Sequence, residues 1–101
     1  MNIKIQSIKF DADKKLVDYV EAKLSKLSKY NDEITTIEVY LKLDPNHEEG
    51  NKKVEVMIPL PGNDIFVERQ GKRFEEAVDL CVDPLKMSLT KSKEKAKNKC
   101  G

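Results

Sequence analysis

No part of this sequence stays apolar for long. The longest apolar run, around Val56 to Leu60, is broken by Pro59 and falls far short of the roughly 20 residues that cross a bilayer, so a membrane span is excluded. The N-terminal segment alternates and carries Lys4 and Lys9. It has neither a long apolar core nor a small-residue cleavage site, so nothing in it resembles a secretion signal, and the cytoplasm is the expected compartment. Cysteine and histidine are scarce: Cys81, Cys100 and His47 are the whole set. They are too few for a disulfide scaffold or a zinc site. If both cysteines share one helix, their separation is roughly 28 Å, beyond the reach of an internal bridge. Cys81 falls on an apolar stripe and reads as a small core residue, whereas Cys100 reads as an exposed thiol. His47 has no serine or cysteine near it in sequence, there is no glycine-rich phosphate loop, and the carboxylates are scattered. An enzyme is therefore not expected, nor a cofactor, a metal or a small-molecule substrate.

What is present is charge. Of 101 residues, 37% are charged and 39% hydrophobic, and the apolar ones recur with regular periods. That combination describes one small, highly charged domain spanning 1–101, with no room for a second. The net charge of +1 conceals an asymmetry: residues 1–83 hold 13 Lys or Arg against 17 Asp or Glu, while residues 84–101 hold six Lys against Glu94 alone. The chain thus ends in a basic helix end and tail from about residue 86. Such a segment is drawn to polyanions by counterion release, and the acidic remainder implies that one face does the binding.

Periodicity sets the elements. Residues 2–10 alternate around Ile3 and Ile5 and resume as Ile8 and Phe10, a phase change that fits a strand with a bulge near Ser7. From Asp13 to about Tyr30, Leu16, Val20, Leu24 and Leu27 recur at helical spacing, with Asp11 or Asp13 placed to cap the start. Residues 33–43 alternate with Ile37, Val39, Leu41 and Leu43 on one side. A polar loop over 44–51 leads to a third strand through Val54, Val56, Ile58 and Leu60, and Pro61-Gly62 turns the chain into a short fourth strand with Ile65 and Val67. After Gly71 a long helical pattern runs through Phe74, Ala77, Val78, Cys81, Val82, Leu85 and Leu89. The order β-α-β-β-β-α predicts an α+β fold: a four-stranded sheet, its first two strands parallel and the rest an antiparallel meander, with both helices on one face. Pro84 lies deep in the second helix, so a kink or two separate helices is expected there.

The lysines are the candidate site residues. Projected at about 100° per residue, the first helix places Lys15, Lys26 and Lys29 on one flank of its apolar stripe, with Lys23 nearest the apolar side between Tyr19 and Tyr30. Lys23 is then either a side chain snorkelling over the core margin or a positioned phosphate contact. In the second helix Glu75, Glu76, Asp79 and Asp83 come first, and Lys86, Lys91, Lys93, Lys95, Lys97 and Lys99 come last. Acid at the start and base at the end complement the helix dipole, yet six lysines exceed what that needs. The surplus serves either as a solubilising tail or as contacts to RNA phosphates.

The segments AKLSKLSKYNDEITTIEVYLKLD, KVEVMIPL and QGKRFEEAVDLCVDPLKMSLTKSKEKAKNK resemble the short ribosome hibernation promoting factors, also called the ribosome-associated inhibitor or sigma-54 modulation protein family. The most specific parts are A-K-x-x-K-L-x-x-Y at Ala22 to Tyr30 and L-x-K-x-K-x-K at Leu89 to Lys95. The resemblance implies a fold similar to double-stranded RNA-binding domains and binding in the decoding channel of the small ribosomal subunit, where messenger and transfer RNA are blocked. It carries a ribosomal RNA contact onto Lys23, Lys26, Lys91, Lys93 and Lys95. Lys29 and Lys86 join these candidates by their places on the two helices. Where members of that family usually carry a further basic residue in mid-helix, this chain reads Asp83-Pro84-Leu85-Lys86-Met87-Ser88-Leu89. Two other readings remain open: a stand-alone double-stranded RNA binder, and a protein-interaction module whose sheet face carries Tyr40, Met57 and Phe66.

Overall fold

A computed structural model describes residues 2–45 and 50–100, with side chains through residue 92. The order of elements is β1 (Asn2–Ser7), α1 (Lys14–Ser25), a 3-10 turn (Lys26–Tyr30), β2 (Thr36–Leu43), β3 (Lys52–Ile58), β4 (Ile65–Gly71) and α2 (Phe74–Cys100). The strands form one sheet in the order β1-β2-β3-β4. β1 runs parallel to β2, and the two later pairings are antiparallel. The predicted α+β fold, with both helices on one face, is the one observed.

The period-2 pattern produces this layering directly. Ile5, Val39, Val56 and Val67 are register partners from strand to strand and make one row across the sheet. Val39, Val56 and Val67 of that row are buried, and they share a core with Val20, Leu24, Leu27, Val78, Leu85 and Leu89 from the helical segments. α2 packs on β4 and β3, and α1 lies over β1 and against α2. Among the described residues no helix packs on the opposite face of the sheet. There Phe66 is 55% exposed, Met57 and Tyr40 are half-buried, and Lys53 bridges Glu55 at 3.8 Å and Glu68 at 3.4 Å. Glu55 and Glu68 are direct cross-strand partners, so Lys53 offsets what is otherwise a repulsive pairing.

Four local expectations are corrected. The phase change after Ile5 is not a bulge: β1 ends at Ser7, and Lys9 takes a left-handed φ of 66° that turns the chain out of the sheet. Ile8 N–H still reaches the Leu41 carbonyl at 2.9 Å. The first helix does not stay α-helical to Tyr30; it tightens to 3-10 geometry at Lys26, where the Ser25 and Ser28 hydroxyls donate to the Ala22 and Ser25 carbonyls. Such back-bonding competes with the regular ladder. Leu43 continues the apolar alternation of β2 yet is 41% exposed. Finally, α2 is one helix through Pro84, which removes the two-helix alternative. The ring deprives the Leu80 carbonyl of its usual i+4 partner, at a residue on the exposed side of the helix.

Asp13, rather than Asp11, caps α1: its Oδ1 accepts from Leu16 N–H at 2.8 Å. The turn after β3 closes with Asn63 N–H on the Leu60 carbonyl at 3.2 Å. Gly62 at its third position has φ 82°, the value a type II turn requires and that glycine adopts without strain.

Candidate nucleic-acid interface

The packing of α1 on α2 leaves a groove of about 240 Å³ between them. One wall is the end of α1 and the 3-10 turn, bringing Lys23, Lys26, Lys29 and Tyr30; the other is α2, bringing Asp79, Val82, Asp83 and Lys86. Residues about 60 positions apart in sequence thus share one surface. The tightened geometry at Lys26 sets how Lys26 and Lys29 are presented, and buried Asn31 fixes the end of that turn. The Asn31 Nδ2 donates to the Leu89 carbonyl of α2 at 3.4 Å, and its Oδ1 accepts from Glu33 N–H at 2.9 Å.

Within the groove the lysines are held in specific settings. Lys29 and Lys86 lie over the Tyr30 ring at 5.3 Å and 5.6 Å from its centroid, one from each wall. Cation–π contact of this kind attracts an ammonium without neutralising it, so both charges remain available to a ligand. Lys23 sits 5.6 Å over the Tyr19 ring and 3.5 Å from Asp79 Oδ1. The same oxygen accepts the Tyr19 hydroxyl at 2.8 Å. That hydrogen bond, with burial and the Asp79 charge behind it, raises the Tyr19 pKa above its ordinary value. Lys26 is exposed on the rim. Four cations against two carboxylates leave the groove net positive.

The structure therefore brings together Lys23, Lys26, Lys29 and Lys86 and sets Lys91 apart. Lys91 is five residues beyond Lys86, about 140° around the helix. It lines a second groove with Asn63, Asp64 and Phe66 from the β4 end of the sheet and with Ser88 and Ser92. The backbone of Lys93 and Lys95 lies in the last turns of α2, and their side chains, with that of Cys100, lie outside the described residues, as does all of His47. Among the described residues no group of histidine, cysteine or acidic side chains is placed to hold a metal, and no helix is long and apolar enough to cross a membrane. Cys81 is fully buried in the core; burial pushes its thiol up to about 11, with Arg69 acting weakly the other way.

Sequence reasoning missed two members of the groove. Asp79 and Asp83 are explained by the helix dipole when α2 is read alone. Their spacing with Lys86 places all three on one helix face, and that spacing is the signal that assigns them to the groove.

Comparison with known proteins fits this architecture. Residues 3–97 match the family described as sigma 54 modulation protein / S30EA ribosomal protein. The chain is 30% identical over 95 residues to the ribosome hibernation promoting factor of Azotobacter vinelandii, covering 94% of this chain and 85% of that protein. Its fold superposes on a ribosomal subunit interface protein from Coxiella burnetii with a TM-score of 0.80 at 26% identity, over 93% of this chain and 99% of the other. For the N-terminal domain of Protein Y from Thermus thermophilus the TM-score is 0.76 at 29% identity, over 90% and 98% of the two chains. The chain belongs to the sigma 54 modulation / S30EA ribosomal protein family, and membership makes it a non-enzymatic binding protein.

Proposed function

We propose that this protein is a cytoplasmic ribosome hibernation factor. It binds ribosomal RNA in the decoding channel of the small subunit and blocks the sites of messenger and transfer RNA. The observation that carries the reading is the convergence of Lys23, Lys26, Lys29 and Lys86 from two distant segments on one groove. A general solubilising role needs no such convergence. Lys91, Lys93 and Lys95 extend the contact along α2 beyond the groove. The relatives' names, ribosome hibernation promoting factor and ribosomal subunit interface protein, point the same way.

The reading is tested by co-sedimentation with purified small subunits over a salt series, beside binding to a plain RNA duplex. Tight, strongly salt-dependent association with subunits and weak duplex binding are expected. Equal affinity for both at matched salt would make the protein a general duplex binder. Subunit binding nearly indifferent to salt would assign the contact to the exposed sheet face around Phe66.

A further inference from the structure

A groove built only to attract phosphates has no use for carboxylates, yet Asp79 and Asp83 stand among its lysines. Asp79 is not loosely placed. Its Oδ1 holds the Tyr19 hydroxyl at 2.8 Å and lies 3.5 Å from Lys23 Nζ. Because the hydrogen bond from Tyr19 already fixes the carboxylate, the ion pair immobilises fewer rotamers than two free surface side chains would. The Tyr19 ring supports the same ammonium from below, 5.6 Å from its centroid. Lys23 and Asp79 remain 41% and 49% exposed, so a ligand can reach and break the pair.

Building on the function proposed above, we infer that Asp79 is a selectivity residue: it withholds Lys23 from RNA phosphates in general and releases it only to a ligand whose other contacts in the groove outweigh the broken pair. Specificity is a difference of affinities, and an unfavourable element aimed at the wrong partner is one way to obtain it. A plain duplex meets the groove with few contacts and leaves Lys23 engaged. A ligand that also engages Lys26, Lys29 and Lys86 offsets the loss. Asp83, one turn further along α2, adds a second negative charge that disfavours closely spaced phosphates.

The variant Asp79→Asn keeps an oxygen to accept from Tyr19 while removing the charge. It is expected to bind a plain RNA duplex about three- to tenfold more tightly than the unaltered protein at matched low salt. Its salt dependence steepens by about one phosphate-equivalent, and its preference for small subunits over duplex falls. Lys23→Gln is expected to change duplex binding little alone and to abolish the gain when combined with Asp79→Asn. Tyr19→Phe, which frees the Asp79 carboxylate but keeps its charge, is expected to give a smaller gain than Asp79→Asn. Duplex binding by Asp79→Asn that is unchanged or weaker overturns the inference, and so does a gain that survives Lys23→Gln. Should Asp79→Asn fold poorly, Lys23→Gln in the otherwise unaltered protein still decides: a full phosphate-equivalent lost from its duplex salt slope means that Lys23 was never withheld. If the unaltered protein fails to sediment with small subunits, the proposed function falls, and the duplex comparison still stands as the measure of Asp79.

Discussion

Asn31 and Leu89, 58 residues apart, are joined by a hydrogen bond from the buried side-chain amide to the helix carbonyl. This bond ties the 3-10 turn that bears Lys26 and Lys29 to the helix that bears Lys86. Asn31 is 4% exposed, and its other amide atom accepts from Glu33 N–H. Asn31→Ala leaves that N–H without its partner and opens a small void, so a loss of about 1 to 3 kcal/mol is expected in urea unfolding. Subunit binding at matched salt should weaken as well, because the two lysine-bearing walls lose their common tether. Lost stability with full binding would mean that the walls keep their spacing without Asn31.

Gly50 makes a sharper structural test. A Cβ there would fall on the Gly71 carbonyl and close to the Lys72 backbone nitrogen, atoms that cannot move aside without shifting β4. At Gly71 the atoms nearest an added Cβ belong to the flexible Glu76 side chain, at 3.1 to 3.3 Å. Gly50→Ala should therefore destabilise by about 2 to 4 kcal/mol and Gly71→Ala by clearly less. Equal losses in thermal melts would contradict the backbone-crossing explanation.

The Cys81 thiol sets an alkaline limit on stability. Its folded pKa is raised to about 11, so the folded state holds the proton more tightly than the unfolded chain. The stabilisation is fully present below the unfolded thiol value of roughly 8.5 and is lost as pH rises towards 11. Cys81→Ala should be less stable at pH 7 because a packed side chain is removed, yet its stability should fall less steeply between pH 9 and 11. A parallel decline in the two proteins, followed by urea unfolding, would mean that Cys81 does not carry the alkaline loss. A thiol reagent at pH 8 should leave Cys81 untouched until the protein unfolds.

The groove divides the lysines into groups that binding can separate. Replacing Lys26, Lys29 and Lys86 together by Gln should flatten the salt dependence of subunit binding by up to about three phosphate-equivalents. Replacing Lys91, Lys93 and Lys95 should do the same if the contact continues along α2. Circular dichroism should show both triple variants folded. A triple variant with an unchanged salt slope removes its lysines from the interface.

The sheet, its strand directions and the buried side of each strand were legible because strand residues such as Ile37, Val39 and Leu41 obey a strict local period, and burial follows that period wherever a helix covers the strand; the residue-by-residue register was not, because it is set by pairing between strands. Leu43 obeys the same period and is exposed, since the extent of helix cover is a tertiary fact. Helical projection pointed to the Lys23, Lys26 and Lys29 flank but also put Lys15 on it, which does not line the groove, and it did not show the 3-10 geometry in which Lys26 and Lys29 are held. The meeting of that flank with Lys86 was not legible, because it depends on how α1 crosses α2. Asp79 and Asp83 were hidden for the same reason: one helix read in isolation offers the dipole as a sufficient cause, and only packing reveals the lysines opposite. The turn at Lys9 has no sequence signal, since a lysine is not the residue expected at positive φ.

Pro84 couples stability to function in a way one variant can separate. α2 runs through this position as a single helix, so Pro84→Ala restores an N–H that can donate to the Leu80 carbonyl and removes the ring's clash with that turn. A gain of about 1 to 3 kcal/mol in unfolding free energy is expected, reduced somewhat because alanine frees the unfolded chain. The proline lies between Asp79 and Asp83 on one side and Lys86 and Lys91 on the other, so any bend the ring imposes there would set how the lysine-bearing end is aimed relative to α1. Inhibition of translation in a cell-free assay should therefore weaken even as the melting temperature rises. A more stable variant with undiminished inhibition would show that the local geometry at Pro84 is incidental to binding, and a less stable one that the proline fits the backbone it occupies.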